Sequence, residues 1–429
     1  MSSWVWIRDG IFIGWNILRK RLRIAGQFSK YTMTGTKKTD ATSKNNHHFK
    51  IIAAIIIDML TTREIKTIEE FRKLRDQGEP MTNLAFHNMD LSNIAHELLQ
   101  ANIRDSLFLG CTLENSMVCA LQHKNYIFPT LDVPYDVYPN KLYRADDLYA
   151  GFSPENPTSF HDTPDQVIFR HFIKTGKYTT DLKESLARAL HDQSITNALE
   201  DFVIHYDPKS IIAIMGGHQL LRTSRQYRKI VWLAKHLTEQ GKLMASGGGP
   251  GAMEATHLGA WLAGTEDKDV LRALEILSQA PSYEDSNWLT SAFQVIHSID
   301  GGKKYSLGIP TWLYGHEPPT PFASHIAKYF TNSIREDGLL ALAKGGIVFT
   351  PGRAGTTQEV FQEVTQNHYL TLEYASPMIF MGRTFWARDW PVYPLLYQLS
   401  YEGKLKNLDL GIYDTIEEIV AHLQRFYEK

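Results

Sequence analysis

Cysteine is scarce in this sequence: Cys111 and Cys119 are the only two among 429 residues. Two cysteines cannot build a disulfide framework or a four-cysteine zinc site, and both lie in apolar segments, so we predict that they are reduced core residues. The 17 histidines show no H-E-x-x-H or comparable ligand spacing. We therefore expect no structural or catalytic metal, and a reducing, cytoplasmic compartment.

An excess of positive charge is also missing, since the formal net charge is -2. Nucleic-acid-binding proteins usually carry a broad basic bias, so the composition argues against DNA or RNA as a partner. An anion site in this chain has to be local. A small anionic ligand fits this composition better than a polymer does.

The N-terminal stretch is too interrupted to cross a membrane. Residues 4–23, "WVWIRDGIFIGWNILRKRLR", are apolar and aromatic, but Arg8 and Asp9 break the run, and about 20 apolar residues are needed to span a bilayer. Its positive charge follows the apolar run, which is the reverse of a signal peptide. A packed N-terminal helix and a helix in weak contact with a membrane surface both stay open. Residues 32–48 are polar and turn-rich, which predicts a linker.

Apolar residues make up 43% of the chain, which allows a large core, and the length favours two or three domains. From residue 51 onward, strand-like and helix-like segments alternate, which predicts an α/β fold. We predict an N-terminal extension and linker (1–50), a smaller N-terminal α/β domain with a helical connection (51–208), and a Rossmann-like nucleotide-binding domain (209–429). We identify no internal repeat.

Two glycine-rich turns follow strand-like runs in the second half of the chain. "SIIAIMGGHQL" (210–220) ends in Gly216 and Gly217, and "LMASGGGPGAMEA" (243–255) again reads as strand, glycine turn and helix. This alternation predicts a doubly wound parallel sheet. Glycines let the backbone approach a ligand, and amides at a helix N-terminus favour phosphate, although one such turn is as often purely structural. The spacing is not the G-x-G-x-x-G fingerprint, so an NAD site is not indicated.

A third glycine turn strengthens the case for a ligand. "GGIVFTPGRAGTTQEVFQ" (345–362) is a strand, a turn and a helix that carries Glu359 in its first turns. Between the second and third turns, residues 308–340 supply another strand, a Pro-rich loop and a helix bearing Arg335. Turns at the carboxyl ends of strands in one parallel sheet converge where such sheets bind ligands.

These segments resemble the Lonely Guy (LOG) family of nucleoside 5'-monophosphate phosphoribohydrolases, whose members are often labelled "possible lysine decarboxylase" or Rossmann-fold nucleotide-binding protein. The pair "SGGGPGAMEA" and "PGRAGTTQE", with "NSIRE" before the second, carries the resemblance, which covers about 209–385. It implies hydrolysis of an N-ribosidic bond to free base and ribose 5-phosphate, with no cofactor. The decarboxylase label would need a pyridoxal phosphate lysine, for which we see no convincing site.

By this resemblance Glu359 is the catalytic glutamate of a P-G-G-x-G-T-x-x-E pattern, and Arg335 orients the substrate or supports the leaving base. Breaking the bond develops positive charge on the ribose, which a carboxylate can stabilise while it takes a proton from water. We add Gly216 and Gly217 as nucleotide-binding candidates. The positions that match the family's phosphate and ribose cradle are Gly247, Gly248, Gly249, Gly251, Gly352, Gly355 and Thr356.

Three further residues have two open interpretations each. Arg353 replaces the second glycine of the family pattern, and either contacts a more highly charged phosphate or points to solvent. Glu254 either binds a ribose hydroxyl or is a solvated acid favoured by the helix dipole. His316, in the loop "YGHEPP", either protonates the leaving base or makes an ordinary loop contact. Residues 265–305 exceed what short family members need and predict extra helices over the site.

Two functions therefore compete. The first is a nucleoside 5'-monophosphate hydrolase, favoured because a pure binder has no need of Glu359 and Arg335 together. The second is a non-catalytic nucleotide sensor, favoured by Arg353 and by the additional N-terminal domain. The resemblance also implies a homo-oligomer, a dimer or higher, because family sites lie near a dimer interface.

Overall fold

The computed structural model describes residues 62–428. The predictions for residues 4–23 and 32–48 lie outside the described residues. Among the helices of residues 62–428, none is long and apolar enough to cross a membrane. The chain divides into two compact units, Met1–Asn140 and Lys141–Lys429.

The larger unit begins earlier than the boundary near residue 208 that we predicted. Helix 182–203, which we assigned to the N-terminal domain, buries Ile195, Leu199 and Val203 in the same apolar cluster as Ile211 and Ala213 of the following strand. A helix belongs to the unit whose core buries its apolar side chains. The helical connection is therefore part of the larger unit.

Within residues 62–140, the smaller unit contains a four-stranded parallel sheet in the sequential order β1-β2-β3-β4. The strands of this range are β1 (Arg63–Ile65), β2 (Leu84–His87), β3 (Leu107–Leu109) and β4 (Tyr126–Phe128), and its helices are α1 (Ile68–Asp76), α2 (Ala95–Gln100) and α3 (Asn115–Leu121). The α/β class predicted for this part of the chain is confirmed.

This sheet is built from a repeat that we did not identify in the sequence. Paired residues such as Arg63 and Leu84, or Leu107 and Tyr126, lie roughly 20 residues apart along the chain, as in short solenoids. Phe86 and Phe108 occupy equivalent positions and stack with ring centroids 4.9 Å apart. The connecting segments differ in length and composition, so only the strand positions reveal the repeat.

The two cysteines differ in exposure. Cys111 is half-buried, whereas Cys119 is exposed, so the prediction of a core position is wrong for Cys119. Met117 and Leu121 are buried and lie four positions apart on α3. Residues so spaced share one face of a helix, and Cys119, midway between them, lies on the opposite face.

The larger unit is a seven-stranded sheet in the order β11-β10-β9-β5-β6-β7-β8, with every pair parallel. Its strands are β5 (Ile211–Met215), β6 (Leu243–Ser246), β7 (Ser306–Gly308), β8 (His325–Ile326), β9 (Gly346–Phe349), β10 (Pro377–Met381) and β11 (Asp409–Tyr413). Its helices are α4 (Ala145–Leu148), α5 (Pro164–Thr175), α6 (Leu182–Val203), α7 (Arg225–Glu239), α8 (Ala252–Trp261), α9 (Asp267–Leu277), α10 (Trp288–Ser298), α11 (Asn332–Leu342), α12 (Ala354–Tyr369), α13 (Val392–Tyr401) and α14 (Ile416–Tyr427). Short 3-10 helices cover Ser92–Ile94, Pro157–Asp162, Pro208–Ser210 and Trp312–Tyr314, and a π-helical turn covers Phe385–Asp389.

Both faces of this sheet are covered, which confirms the predicted doubly wound α/β fold. Ile212 and Ile214 of β5 point into one apolar cluster, together with α7 and α8. Ile211, Ala213 and Met215 point into the other, together with α6. Successive strand residues face opposite sides, so a central parallel strand must be apolar at every position. The apolar runs in the sequence have this cause.

The strand order reverses direction next to β5. The chain runs outward from β5 through β6, β7 and β8, and then returns to place β9 on the other side of β5. Open α/β sheets bind ligands beyond the carboxyl ends of the strands at such a reversal. The turns after β5, β6 and β9 all lie at that edge.

A buried acid on α12 gives the fold a pH dependence. Burial raises the pKa of Glu363 to about 7. Ser376 donates a hydrogen bond to Oε1, and Oε2 has no hydrogen-bond partner in residues 62–428. Because the pKa of Glu363 is higher in the folded state than in the unfolded chain, protonation of its carboxyl stabilises the fold. This contribution is complete below pH 4.5 and is lost as the pH rises to about 7. We expect the free energy of unfolding to fall by about 3 kcal/mol over this pH range. In urea titrations from pH 4 to 8, the free energy of unfolding of Glu363→Gln should change less with pH. Identical slopes for both proteins would refute this assignment.

Candidate functional site

Three glycine turns meet at the carboxyl edge of the larger sheet. The amide of Gly217, after β5, donates to the carbonyl of Pro351, after β9, at 3.2 Å. The amide of Ala252, after β6, donates to the carbonyl of Gly217, also at 3.2 Å. The backbone hydrogen bonds therefore join all three turns into one surface, as the sequence predicted.

Two of the glycines are required because a side chain has no room at either position. Gly251 has φ +69°, and a Cβ there would lie 2.5 Å from the carbonyl oxygens of Gly217 and His218. A Cβ on Gly216 would lie 1.9 Å from Oγ1 of the buried Thr350. Any side chain at either position would push the turns apart, so the sequence pattern has a structural cause in addition to any ligand.

A buried histidine supports the turn after β6. Ser246 Oγ accepts from the amide of Gly248 at 3.1 Å and lies 2.8 Å from Nε2 of His257, whose Nδ1 lies 2.9 Å from Oγ of Ser306. Burial lowers the pKa of His257 to about 3, so the ring is neutral at physiological pH. This chain of hydrogen bonds holds the glycine turn in place from below.

Arg335 and Glu359 lie side by side at the glycine surface. Nη1 of Arg335, on α11, is 3.9 Å from Oε1 of Glu359, on α12, and the two side chains are 11% and 16% exposed. The same Nη1 would be 3.6 Å from a Cβ on Gly247, and Nε of Arg335 has no hydrogen-bond partner among the described residues. The guanidinium thus keeps donor capacity next to the turn.

The environment of Glu359 favours its protonated form more than water does. Burial raises the pKa of Glu359 to about 7, Arg335 opposes the rise, and Glu336 adds to it. A carboxyl that titrates near neutral pH can exchange protons with a substrate in either direction. The arrangement supplies a candidate base beside the glycine surface.

A second carboxyl with the same property lies in the loop after β7. Burial raises the pKa of Glu317 to about 7, and Arg335 again opposes the rise. Oε1 of Glu317 lies 3.4 Å from Nδ1 of His218, and Oε2 would be 3.7 Å from a Cβ on Gly249. We gave neither Glu317 nor His218 a role from the sequence. The available signal was that both lie in segments that leave the same edge of the sheet, His218 after β5 and Glu317 in the longer loop after β7.

The turn after β9 opens toward solvent at the start of α12. Thr356 is buried, and its Oγ1 would be 2.1 Å from a Cβ on Gly352, so these two pack tightly. A Cβ on Gly355 would meet nothing within 4 Å. Arg353 is exposed at the N-cap of α12. The pKa of His218 is lowered mainly by burial, next by the charge of His316 and then by the charge of Arg353. Arg353 therefore lies on the rim of the surface.

Glu254 fits neither of the two interpretations offered for it. Its side chain is fully buried and accepts from Nε and Nη2 of Arg222 at 2.9 and 2.5 Å and from the hydroxyl of Tyr227 at 2.9 Å. Both carboxylate oxygens are thus engaged inside the protein. The structure corrects the prediction: Glu254 is an internal ion-pair partner beneath the turn, not a ribose contact or a solvated acid.

His316 lies at the mouth of the site. Its side chain is 61% exposed, and Nε2 is 3.8 Å from Oε1 of Glu317. Among the described residues no group of three or more His, Cys, Asp or Glu side chains could hold a metal ion. The side chains named above bring carboxyl, guanidinium and imidazole groups to the site, and the glycine turns bring backbone amides.

No family model and no curated protein matches this chain. Among solved structures, the chain is similar to the molybdenum cofactor binding protein from the phototrophic bacterium Rippkaea orientalis, with 15% identity over 51% of this chain and 96% of that one, and a TM-score of 0.34. It is similar to the Moco carrier protein from Chlamydomonas reinhardtii, with 15% identity over 51% and 97% of the two chains, and a TM-score of 0.31. These values are too low to bear on what this chain binds.

Proposed function

We propose that the larger unit hydrolyses the N-ribosidic bond of a nucleoside 5'-monophosphate, as the resemblance to the LOG family implies. One observation carries the proposal: the pair Arg335–Glu359 lies beside converging glycine turns, with the carboxyl titrating near neutral pH. A phosphate bound at the turns after β6 and β9 would bring the ribose toward that pair. No cofactor is needed for this reaction.

In this proposal Glu359 acts on the attacking water. The water oxygen forms a bond to the anomeric carbon of the ribose while the bond from that carbon to the base nitrogen breaks. Glu359 takes a proton from the water, and its negative charge stabilises the oxocarbenium-like ribose. The charge of Arg335 keeps a fraction of the Glu359 carboxyls ionised. The N–H groups of its guanidinium hold the substrate.

The departing base keeps the bonding electron pair and needs a proton. Glu317 is suited to supply it, because its carboxyl is half-protonated near pH 7 and lies near enough to Arg335 for that charge to act on it. Two carboxyls in different surroundings divide acid and base roles in many hydrolases. We assign Glu359 as base and Glu317 as acid.

A turnover screen tests the proposal. The purified protein is incubated with each common nucleoside mono-, di- and triphosphate, and the free base is quantified by chromatography. Release of base from one or more monophosphates would support the hydrolase. Absence of turnover, together with a nucleotide that still raises the melting temperature, would favour a non-catalytic sensor that uses the same surface.

The rate should show a narrow bell-shaped dependence on pH with its maximum near 7. The base must be ionised and the acid protonated at the same time, and both groups have pKa values of about 7. Glu317→Gln is expected to lower kcat about 100-fold and to remove the alkaline limb of kcat/KM, because that limb reports loss of the acid's proton. An alkaline limb that persists in Glu317→Gln would exclude Glu317 as the acid.

A further inference from the structure

The segment between α8 and β7 brings a loop to the proposed site. It contains α9 and α10, as predicted from residues 265–305, and the connection between these helices runs through residues 278–287. A small cavity opens where this loop faces the glycine turns, lined by His218, Gly251, Pro281, Ser282 and Tyr283. The added helices thus do more than cover the sheet: their loop forms part of the surface beside the turns.

Tyr283 is the residue of this loop that faces the site. Its ring lies 5.9 Å from that of His218, at an interplanar angle of 73°. Burial raises the pKa of the Tyr283 hydroxyl, and the charges of Glu317 and Glu284 raise it further. Tyr283 is therefore close to the carboxyl proposed to protonate the leaving base.

The loop is held firmly enough to present a formed surface. The amide of Arg222 donates to the carbonyl of Pro281 at 3.0 Å, and the amide of Ser282 donates to Oδ2 of Asp285 at 2.8 Å. Trp288, at the end of the loop, is buried, and the guanidinium of Arg222 lies 4.8 Å from its ring centroid. Ligand sites are usually formed before the ligand arrives, and these anchors provide that condition.

We propose that Tyr283 and His218 form one wall of the subsite that holds the nucleobase, an inference that rests on the proposed function. The glycine turns account for the phosphate, and Glu317 accounts for the proton on the base, so the base must lie on the Glu317 side. Because the two rings meet edge to face, the face of one and the edge of the other offer the aromatic contact that a nucleobase needs and that a phosphate or ribose does not. Such a wall accepts purines and pyrimidines alike.

Binding to a ligand with and without the base tests the wall. Affinities for adenosine 5'-monophosphate and for ribose 5-phosphate are measured by calorimetry in the Glu359→Gln background, which prevents turnover. Tyr283→Ala is expected to weaken adenosine 5'-monophosphate about tenfold, in the range found for loss of one aromatic–base stack, and to leave ribose 5-phosphate within twofold. Tyr283→Phe should bind both ligands normally, because it keeps the ring. Tyr401→Ala removes an exposed tyrosine on α13 and serves as the control.

The outcomes separate the two proposals. Equal loss of affinity for both ligands in Tyr283→Ala, or no loss for either, would overturn the base wall while leaving the hydrolase intact. Failure of the unsubstituted protein to bind either ligand would overturn the proposed function itself, and the base wall with it. A selective loss for the nucleotide, absent in Tyr283→Phe and Tyr401→Ala, is the result that supports the inference.

Discussion

Replacing Glu359 with glutamine is expected to lower kcat for base release about 1,000-fold, within the range for loss of a general base, while KM changes only a few-fold. The substitution keeps the shape of the side chain and removes both the proton acceptor and the negative charge that faces the ribose. Because our proposal assigns the phosphate and base contacts to other residues, binding should persist. Chromatographic quantification of free base, with KM and kcat determined separately, measures both effects.

The same helix supplies a matched control. Glu363 lies one turn further along α12 and is also buried, with its pKa raised to about 7, but its carboxyl contacts Ser376 at the start of β10. Glu363→Gln should therefore keep kcat within about threefold, well below a general-base effect. If Glu363→Gln lost as much activity as Glu359→Gln, the effect would come from α12 as a whole. If Glu359→Gln kept most of its activity, the assignment of the base would be wrong.

The sequence predicted the sheet well because its pattern is local. Continuous apolar runs mark β5 and β9 as strands buried on both faces, and the glycines that follow mark where each strand must turn into a helix. The start of the last helix has an equally local signal, because Thr415 and Glu418 form a capping box at the start of α14. Each of these signals lies within a few residues of the structure it specifies.

What the sequence did not reveal depends on contacts between distant segments. Tyr283 meets His218 only because an inserted loop returns to the turn after β5. Burial raises the pKa of Glu317 to about 7, and no local sequence pattern indicates that this side chain is buried. Glu254 was misinterpreted for the same reason, because an acid in the first turn of a helix is usually solvated, and its partner Arg222 lies 32 residues earlier in the chain.

The ion pair between Arg222 and Glu254 leads to the largest expected effect on stability. Both side chains are fully buried, and Arg222 also donates to the carbonyls of Ala280 and Trp288 at 3.2 and 3.1 Å. Arg222→Met leaves a carboxylate buried without its cation, which is expected to cost about 3–5 kcal/mol in the free energy of unfolding. Urea titration monitored by circular dichroism measures the loss.

A double substitution and an exposed pair complete the experiment. Arg222→Met/Glu254→Met removes both charges, so it should be less destabilised than the sum of the two single variants. Arg383, which is half exposed and 3.3 Å from Glu418, provides the control: Arg383→Met should cost less than about 1 kcal/mol. A loss of that small size in Arg222→Met would contradict the assignment. Arg222 holds both the loop that carries Tyr283 and helix α8, which follows Gly251. Its replacement should therefore also weaken nucleotide binding, whereas Arg383→Met should leave binding unchanged.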